Sequence, residues 1–258
     1  MIVENRPGAG SNIATEAVVR APADGYTLLV LTFANAVNAT LYGGLNFDLL
    51  RDIAPVGATF QSPAVMVVTP SFPAKTVPEF IAYARTHPGM VNYASAGYGT
   101  VNNVAGELFN AMAGVQLVHV PYRGSYMPDL LGGQVQVTFA PIATVIESIK
   151  AGKLRALAVT GATRSDALSG IPSMGEFLRG YEANVWHGIG APKNTPTAII
   201  ERLNREISAV LVDPRTNARF AELGGSPIAD SPTEFGALMG EEIKKWGKVI
   251  RMANIRPQ

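Results

Sequence analysis

Apolar and polar positions switch period repeatedly along this chain, from short aliphatic runs to stripes spaced three and four residues apart. Tyr26-Thr27-Leu28-Leu29-Val30-Leu31 predicts a buried strand. So do Val65-Met66-Val67-Val68, Leu117-Val118-His119-Val120, Val135-Gln136-Val137-Thr138-Phe139 and Leu154-Arg155-Ala156-Leu157-Ala158-Val159. Met1-Ile2-Val3-Glu4-Asn5 reads as the end of a further strand. Helices fall between these runs. One is predicted over residues 12–20. Thr76-Val77-Pro78-Glu79 is a capping box with proline just inside it, and Phe80, Ile81 and Ala84 share a face of the helix it opens. Another helix follows Thr100 and stops at Gly114. The last third is helical. Thr195-Pro196 caps a helix with Ile199, Ile200, Leu203, Ile207, Val210 and Leu211 at helical spacing. Ser231-Pro232-Thr233-Glu234 caps a longer one that buries Phe235, Leu238, Met239, Ile243, Trp246 and Ile250. Glu241, Glu242, Lys244 and Lys245 read as its solvated face. This alternation predicts an α/β architecture. Two loops without a partner helix, 69–73 and 188–192, predict crossings between two lobes.

Composition narrows the functional classes. The 258 residues are 47% hydrophobic and 16% charged, a globular profile long enough for one large domain or two lobes. A net charge of +1 argues against nucleic acid as a partner. The apolar runs are too short to span a bilayer. Cysteine is absent, which excludes disulfides, thiolate chemistry and cysteine metal sites. His87, His119 and His187 are far apart and form no HxH or HExxH motif, so no metal site is expected. No cofactor is expected either. Gly97-Tyr98-Gly99 begins like a dinucleotide fingerprint, but Asn102 stands at the third glycine position. At the N-terminus the basic region and apolar core of a signal peptide are missing.

The candidate chemistry concentrates in one run, from Asn92-Tyr93-Ala94-Ser95-Ala96-Gly97-Tyr98-Gly99-Thr100 into Val101-Asn102-Asn103. It reads as a strand, a tight glycine turn and the start of a helix. Backbone N–H groups, the Ser95 and Thr100 hydroxyls and a helix N-terminus then point at one small volume, which suits a carboxylate. No nucleophile with a base beside it accompanies the turn, and Gly-x-Ser-x-Gly is absent. Gly8-Ala9-Gly10-Ser11-Asn12 is a second glycine turn, read as a tight strand-to-helix connection ahead of a ligand contact. Arg123, in Tyr122-Arg123-Gly124-Ser125, has the fork that pairs with a carboxylate, against the plainer reading of an arginine facing water. His119 reads as a structural residue of its strand. His187, beside Trp186 in the second crossing, is a cleft candidate set against a packed residue.

Several runs together resemble the substrate-binding receptors of tripartite tricarboxylate transporters, the Bug or TctC family. They are Glu4-Asn5-Arg6-Pro7-Gly8-Ala9-Gly10, Ala23-Asp24-Gly25-Tyr26-Thr27-Leu28-Leu29, the 92–100 run, Ala105-Gly106-Glu107-Leu108-Phe109, His119-Val120-Pro121-Tyr122-Arg123-Gly124-Ser125, Asp129-Leu130-Leu131-Gly132-Gly133-Gln134-Val135 and residues 151–160. The resemblance implies a two-lobed periplasmic binding protein fold of type II, with lobe one formed by 1–68 and 190–258 and lobe two by 69–189. The hinge crossings would lie near 65–70 and 186–192. It implies a receptor, not an enzyme, that holds a di- or tricarboxylate or an aromatic acid and passes it to membrane permease subunits, working in the periplasm as a monomer. Carried over, the ligand-binding residues are Ser95, Gly97, Tyr98, Gly99, Thr100 and Asn103 from one turn, Arg123, Gly124 and Ser125 from the next, and Ala140, Pro141, Ala34, Asn35 and His187. The family's first strand, proline-glycine-glycine loop and first helix have no counterpart, so lobe one is expected to be N-terminally incomplete. Asn103 stands where many relatives carry histidine, and Ala140-Pro141 replaces an Asp-Asn pair. The competing readings are a truncated remnant that binds nothing and a serine-dependent hydrolase.

Overall fold

The computed structural model describes residues 2–257. Its strands are β1 (Leu29–Thr32), β2 (Ile53–Val68), β3 (Asn92–Ser95), β4 (Val118–Pro121), β5 (Val137–Pro141), β6 (Arg155–Val159), β7 (Asn184–Pro192) and β8 (Ser226–Pro227). Its α-helices are α1 (Asn12–Val19), α2 (Phe33–Leu41), α3 (Leu49–Asp52), α4 (Val77–Thr86), α5 (Val101–Ala113), α6 (Met127–Leu131), α7 (Ile142–Lys150), α8 (Thr197–Leu211), α9 (Pro214–Glu222) and α10 (Pro232–Met252). The chain divides into two compact units. Unit 1 holds Met1–Gln61, Trp186–Phe220 and Ser226–Pro257, and unit 2 holds Ser62–Val185 and Ala221–Gly225.

The division departs from the expected boundaries. The first crossing falls within β2, between Gln61 and Ser62, because residues 64–68 are hydrogen-bonded into the sheet of unit 2. Residues 69–73 therefore lie wholly in unit 2. A short excursion, Ala221–Gly225, adds two crossings that no apolar pattern signals. β2 itself is sixteen residues long, and the sequence reading caught only its last four. Pro55, Gly57 and Pro63 punctuate it and hide the rest.

In unit 1, β1 pairs antiparallel with β7, β7 lies between β1 and β2, and β8 pairs with β2. The first expected strand is shorter than its apolar run and is not buried on both faces. Leu29 and Leu31 are buried, whereas Tyr26 and Val30 are 93% and 61% exposed. Of the run 1–5, expected to end a strand, the described residues 2–5 pair with no strand and are exposed.

α10 packs along α2 and seats the core of this unit. Trp246 is fully buried, edge-on to Phe33 at 5.0 Å. Trp186 meets Phe235 edge-on at 5.7 Å. Glu242, expected on a solvated face, is buried instead. Its Oε2 accepts the indole N–H groups of Trp186 at 3.1 Å and Trp246 at 2.7 Å, and its other oxygen pairs with Lys245. A helical wheel places Glu242 between Met239 and Trp246, so the carboxylate enters the core with donors around it, as a buried charge requires. The Ser231 capping box forms as expected, with Glu234 Oε2 accepting the Ser231 N–H at 2.8 Å. Thr195 does not cap α8: its hydroxyl donates to the Pro192 carbonyl at 2.7 Å, and Pro196 is the N-cap.

Unit 2 holds a sheet in the order β6-β2-β5-β3-β4, in which β3 runs parallel to both β4 and β5, while β2 is antiparallel to β5 and β6. Phe80, Tyr93, Phe109 and Phe139 are fully buried beneath it. α5 approaches β3 closely at Gly106, where an added Cβ would stand 2.6 Å from the Tyr93 ring. A helix residue with any side chain would have to push that ring away, which explains a glycine in the interior of a helix.

Candidate functional site

The carboxyl ends of β3, β4 and β5 lie side by side in unit 2, since Ser95 is in register with Pro121, and Ala94 with both Val120 and Thr138. Each end leads into a turn and a helix. Ligands of α/β sheets collect at such ends, because the strand-to-helix turns and helix N-termini converge there. Eleven of the fourteen residues expected to bind ligand occupy these three turns: Ser95, Gly97, Tyr98, Gly99, Thr100, Asn103, Arg123, Gly124, Ser125, Ala140 and Pro141.

The 95–100 turn is held from within. Ser95 is fully buried, and its Oγ accepts the Gly97 N–H at 3.0 Å. The Thr100 hydroxyl donates to the Gly97 carbonyl at 2.7 Å. The Gly99 N–H donates to Asn103 Oδ1 at 3.0 Å, while Asn103 Nδ2 donates to the Tyr93 hydroxyl at 3.0 Å. That hydroxyl donates in turn to Glu107 Oε1 at 2.6 Å, and burial followed by the Glu107 charge raises its pKa. Asn102 ties α5 to its surroundings, donating to the Tyr126 hydroxyl and to Thr138 Oγ1, both at 3.2 Å. These bonds decide which donors remain. The N–H groups of Gly97 and Gly99 are engaged within the turn. Those of Tyr98, Val101 and Asn102 take no acceptor among the described residues. The last two belong to the first turn of the thirteen-residue α5, whose N-terminus favours negative charge.

Two neighbouring groups complete the cluster. Tyr122 donates its N–H to the Ser95 carbonyl at 2.9 Å, which sets Arg123, exposed and in no ion pair among the described residues, one residue from the turn. Tyr98 is 38% exposed at the same place. At the third strand end Ala140 is buried, Pro141 is the N-cap of α7, and the Pro141 carbonyl accepts the Thr144 hydroxyl at 2.7 Å.

His119 belongs to this cluster, which the sequence reading missed. Its Nε2 and the Ser95 hydroxyl share a hydrogen bond at 2.6 Å, and its ring stacks on Tyr93 and meets Tyr98 edge-on, each with centroids 4.9 Å apart. Burial lowers its pKa to about 4. The register of two parallel strands, β3 and β4, makes this contact, and no local spacing signals it. Ser95 and His119 do not make a catalytic pair. The serine oxygen is buried and engaged by Gly97, and no carboxylate pairs with His119 among the described residues.

Neutral burial of His119 sets a pH dependence. The unfolded imidazole titrates near 6.5, so between that value and about 4 the unfolded chain binds a proton that the folded one refuses. Stability is therefore full above about pH 6.5 and falls as pH drops toward about 4. His187, also lowered by burial, adds in the same direction. Thermal melts at pH 7.5, 6, 5 and 4.5 check this, and a melting temperature constant across the series would contradict it.

The remaining three expected residues lie in unit 1. His187 pairs with Thr32 across β1 and β7, and its ring is 5.7 Å from Phe60. Ala34 and Asn35 sit in the first turn of α2, where a loop was expected. Asn35 is buried and its amide is occupied: Oδ1 accepts the Thr32 N–H at 2.8 Å, and Nδ2 donates to Thr15 Oγ1 at 2.9 Å. The glycine turn before α1 is held the same way, with Asn38 Nδ2 donating to the Gly10 carbonyl at 2.5 Å. No cluster of His, Asp or Glu suited to a metal ion occurs among the described residues. No helix among them is long and apolar enough to cross a membrane.

Over its whole length the chain is similar to R. palustris Rpa4515, solved with adipate: 35% identity, TM-score 0.85, covering 100% of this chain and 87% of that one. It is similar to the periplasmic binding protein BugD, at 29% identity and TM-score 0.81 over 100% of this chain and 88% of that one. It is also similar to MatC (Rpa3494) from Rhodopseudomonas palustris, solved with bound malate, at 28% identity and TM-score 0.78 over 94% and 85% of the two chains. These neighbours are solute-binding receptors, not enzymes, and their fold is the α/β periplasmic binding fold. Residues 1–255 match the model of the tripartite tricarboxylate transporter family receptor, and the chain belongs to that family.

Proposed function

We propose that this receptor captures a small dicarboxylate at the carboxyl ends of β3, β4 and β5 and delivers it in the periplasm to the permease subunits of its transporter. The observation that carries the reading is the set of unengaged N–H groups of Tyr98, Val101 and Asn102 at the start of α5, with the exposed Arg123 following Tyr122, whose N–H binds the Ser95 carbonyl. Fixed N–H dipoles and a helix N-terminus hold a carboxylate without any reorganisation at the moment of binding. Arg123 adds a charged fork for the same or the second carboxylate. Tyr98 supplies an apolar wall for the ligand's carbon chain. Ala34, Asn35 and His187 form the corresponding group of unit 1, with Asn35 acting through the geometry of α2 since its amide is occupied. The adipate and malate of the neighbouring structures support a dicarboxylate. The protein works as a monomer, and lobe one, made of segments at both ends of the chain, is joined to lobe two by crossings near 61–62 and 185–186.

Titration calorimetry with adipate, malate, citrate and benzoate tests this. We expect saturable heat from at least one dicarboxylate and about tenfold weaker binding in Arg123→Ala, the loss of one charge-assisted hydrogen bond. A folded sample giving no heat with any of the four would refute it.

A further inference from the structure

We propose that His119 is a positioning residue of the carboxylate site, holding the 95–100 turn in its binding geometry through the Ser95 hydroxyl and through the edge of Tyr98. The proposal rests on reading that turn as the ligand site and names a residue that no part of that reading includes.

The chain of contacts is short. His119 Nε2 is 2.6 Å from Ser95 Oγ, the same oxygen accepts the Gly97 N–H at 3.0 Å, and the Gly97 carbonyl accepts the Thr100 hydroxyl at 2.7 Å. The Ser95 hydroxyl also donates to the Gly97 carbonyl at 3.1 Å, so fixing the serine oxygen fixes both the N–H and the carbonyl of Gly97, and through the carbonyl the direction of the Tyr98 N–H. The imidazole is itself clamped, stacked on Tyr93 with centroids 4.9 Å apart. Tyr93 is fixed at its far end by Glu107 and Asn103, at 2.6 and 3.0 Å. The Tyr98 ring, which has no other aromatic neighbour among the described residues, rests edge-on against His119 at 4.9 Å. A site whose donors are backbone groups depends on such supporting contacts, because no side-chain rotamer can correct a misplaced peptide.

Four variants test it: His119→Ala, His119→Gln, Ser95→Ala and the double variant Ser95→Ala/His119→Ala. Each is read by adipate and malate titration and by the backbone amide spectrum of the free protein. In His119→Ala we expect affinity to fall about tenfold and the Gly97 and Tyr98 amide resonances to move, the loss of one buried hydrogen bond. His119→Gln, whose side-chain amide reaches the serine hydroxyl but offers no ring to Tyr98, restores most of the affinity while the Tyr98 resonance stays displaced. The double variant is no weaker than the weaker single one, as expected of residues acting as one unit. Parent-like affinity and unmoved resonances in His119→Ala would overturn the proposal, and so would a double variant losing the product of the two single effects. Should His119→Ala fail to fold, Ser95→Ala and His119→Gln carry the comparison. If the parent binds neither ligand, the site reading has failed, and the Gly97 resonance alone then decides whether His119 positions the turn.

Discussion

Replacing Trp246 by alanine destabilises unit 1 by about 3–5 kcal/mol, the range for removing a large buried aromatic. The indole is fully buried, and its removal has three consequences. The edge contact with Phe33 disappears, so α10 loses its hold on α2. The cavity left behind lies between two helices that cannot close it without sliding. Glu242 keeps the Trp186 N–H and Lys245 but loses the shorter of its two indole bonds, leaving a buried carboxylate under-satisfied. Differential scanning calorimetry should show the transition of unit 1 lowered by about ten degrees, with that of unit 2 in place. A trace unchanged from the parent would mean that α10 is held by something other than this aromatic contact.

Gly97→Val should act in the opposite manner, weakening ligand binding by about tenfold to a hundredfold while the melting temperature stays close to that of the parent. Gly97 has φ +117°, a conformation that side-chain-bearing residues rarely adopt. A Cβ there would meet nothing within 4 Å, so the branch point of the new side chain has open space around it. The cost is in the backbone, about 1–3 kcal/mol, and the turn escapes it by relaxing to another shape. In that shape the Tyr98 N–H no longer keeps its placement relative to those of Val101 and Asn102. Binding must then restore the strained form, and the strain appears as lost affinity. Adipate titration beside a thermal melt separates the two quantities. Undiminished affinity would show that the ligand does not depend on the shape of this turn.

Much of the fold was legible because local chemistry and tertiary structure agree. The Thr76 N-cap, the Ser231 capping box, the glycine stop at Gly114 and the β-rich run before Ser95 lie where the sequence puts them, although the expected box at Thr76 is only half formed, since the Glu79 carboxylate reaches past Thr76 to accept the Lys75 N–H at 2.7 Å. The failures share a cause. Glu242 reads as surface from its charge, and only the meeting of Trp186 with Trp246 makes a burial site for it. The first half of β2 is masked by proline and glycine, which extended backbone tolerates here. Val30 reads as core from its composition, but nothing among the described residues covers its face of β1. At the site, the glycine turn and Arg123 could be found from spacing alone. Which N–H groups remain free could not, because Ser95 and Asn103 consume two of them through side-chain bonds that spacing does not reveal. His119 was hidden for the same reason, since its partner is brought close by strand register.

The way the chain is divided between the units bears on the order in which a ribosome can finish them. Unit 2 is nearly one uninterrupted stretch, Ser62–Val185, so almost all its partners have emerged by the time β7 is made. Unit 1 keeps Phe33 waiting for Trp246, near the opposite end of the chain. Vectorial synthesis thus lets the half bearing the glycine turn close early, while α2 stays uncovered until the final helix arrives.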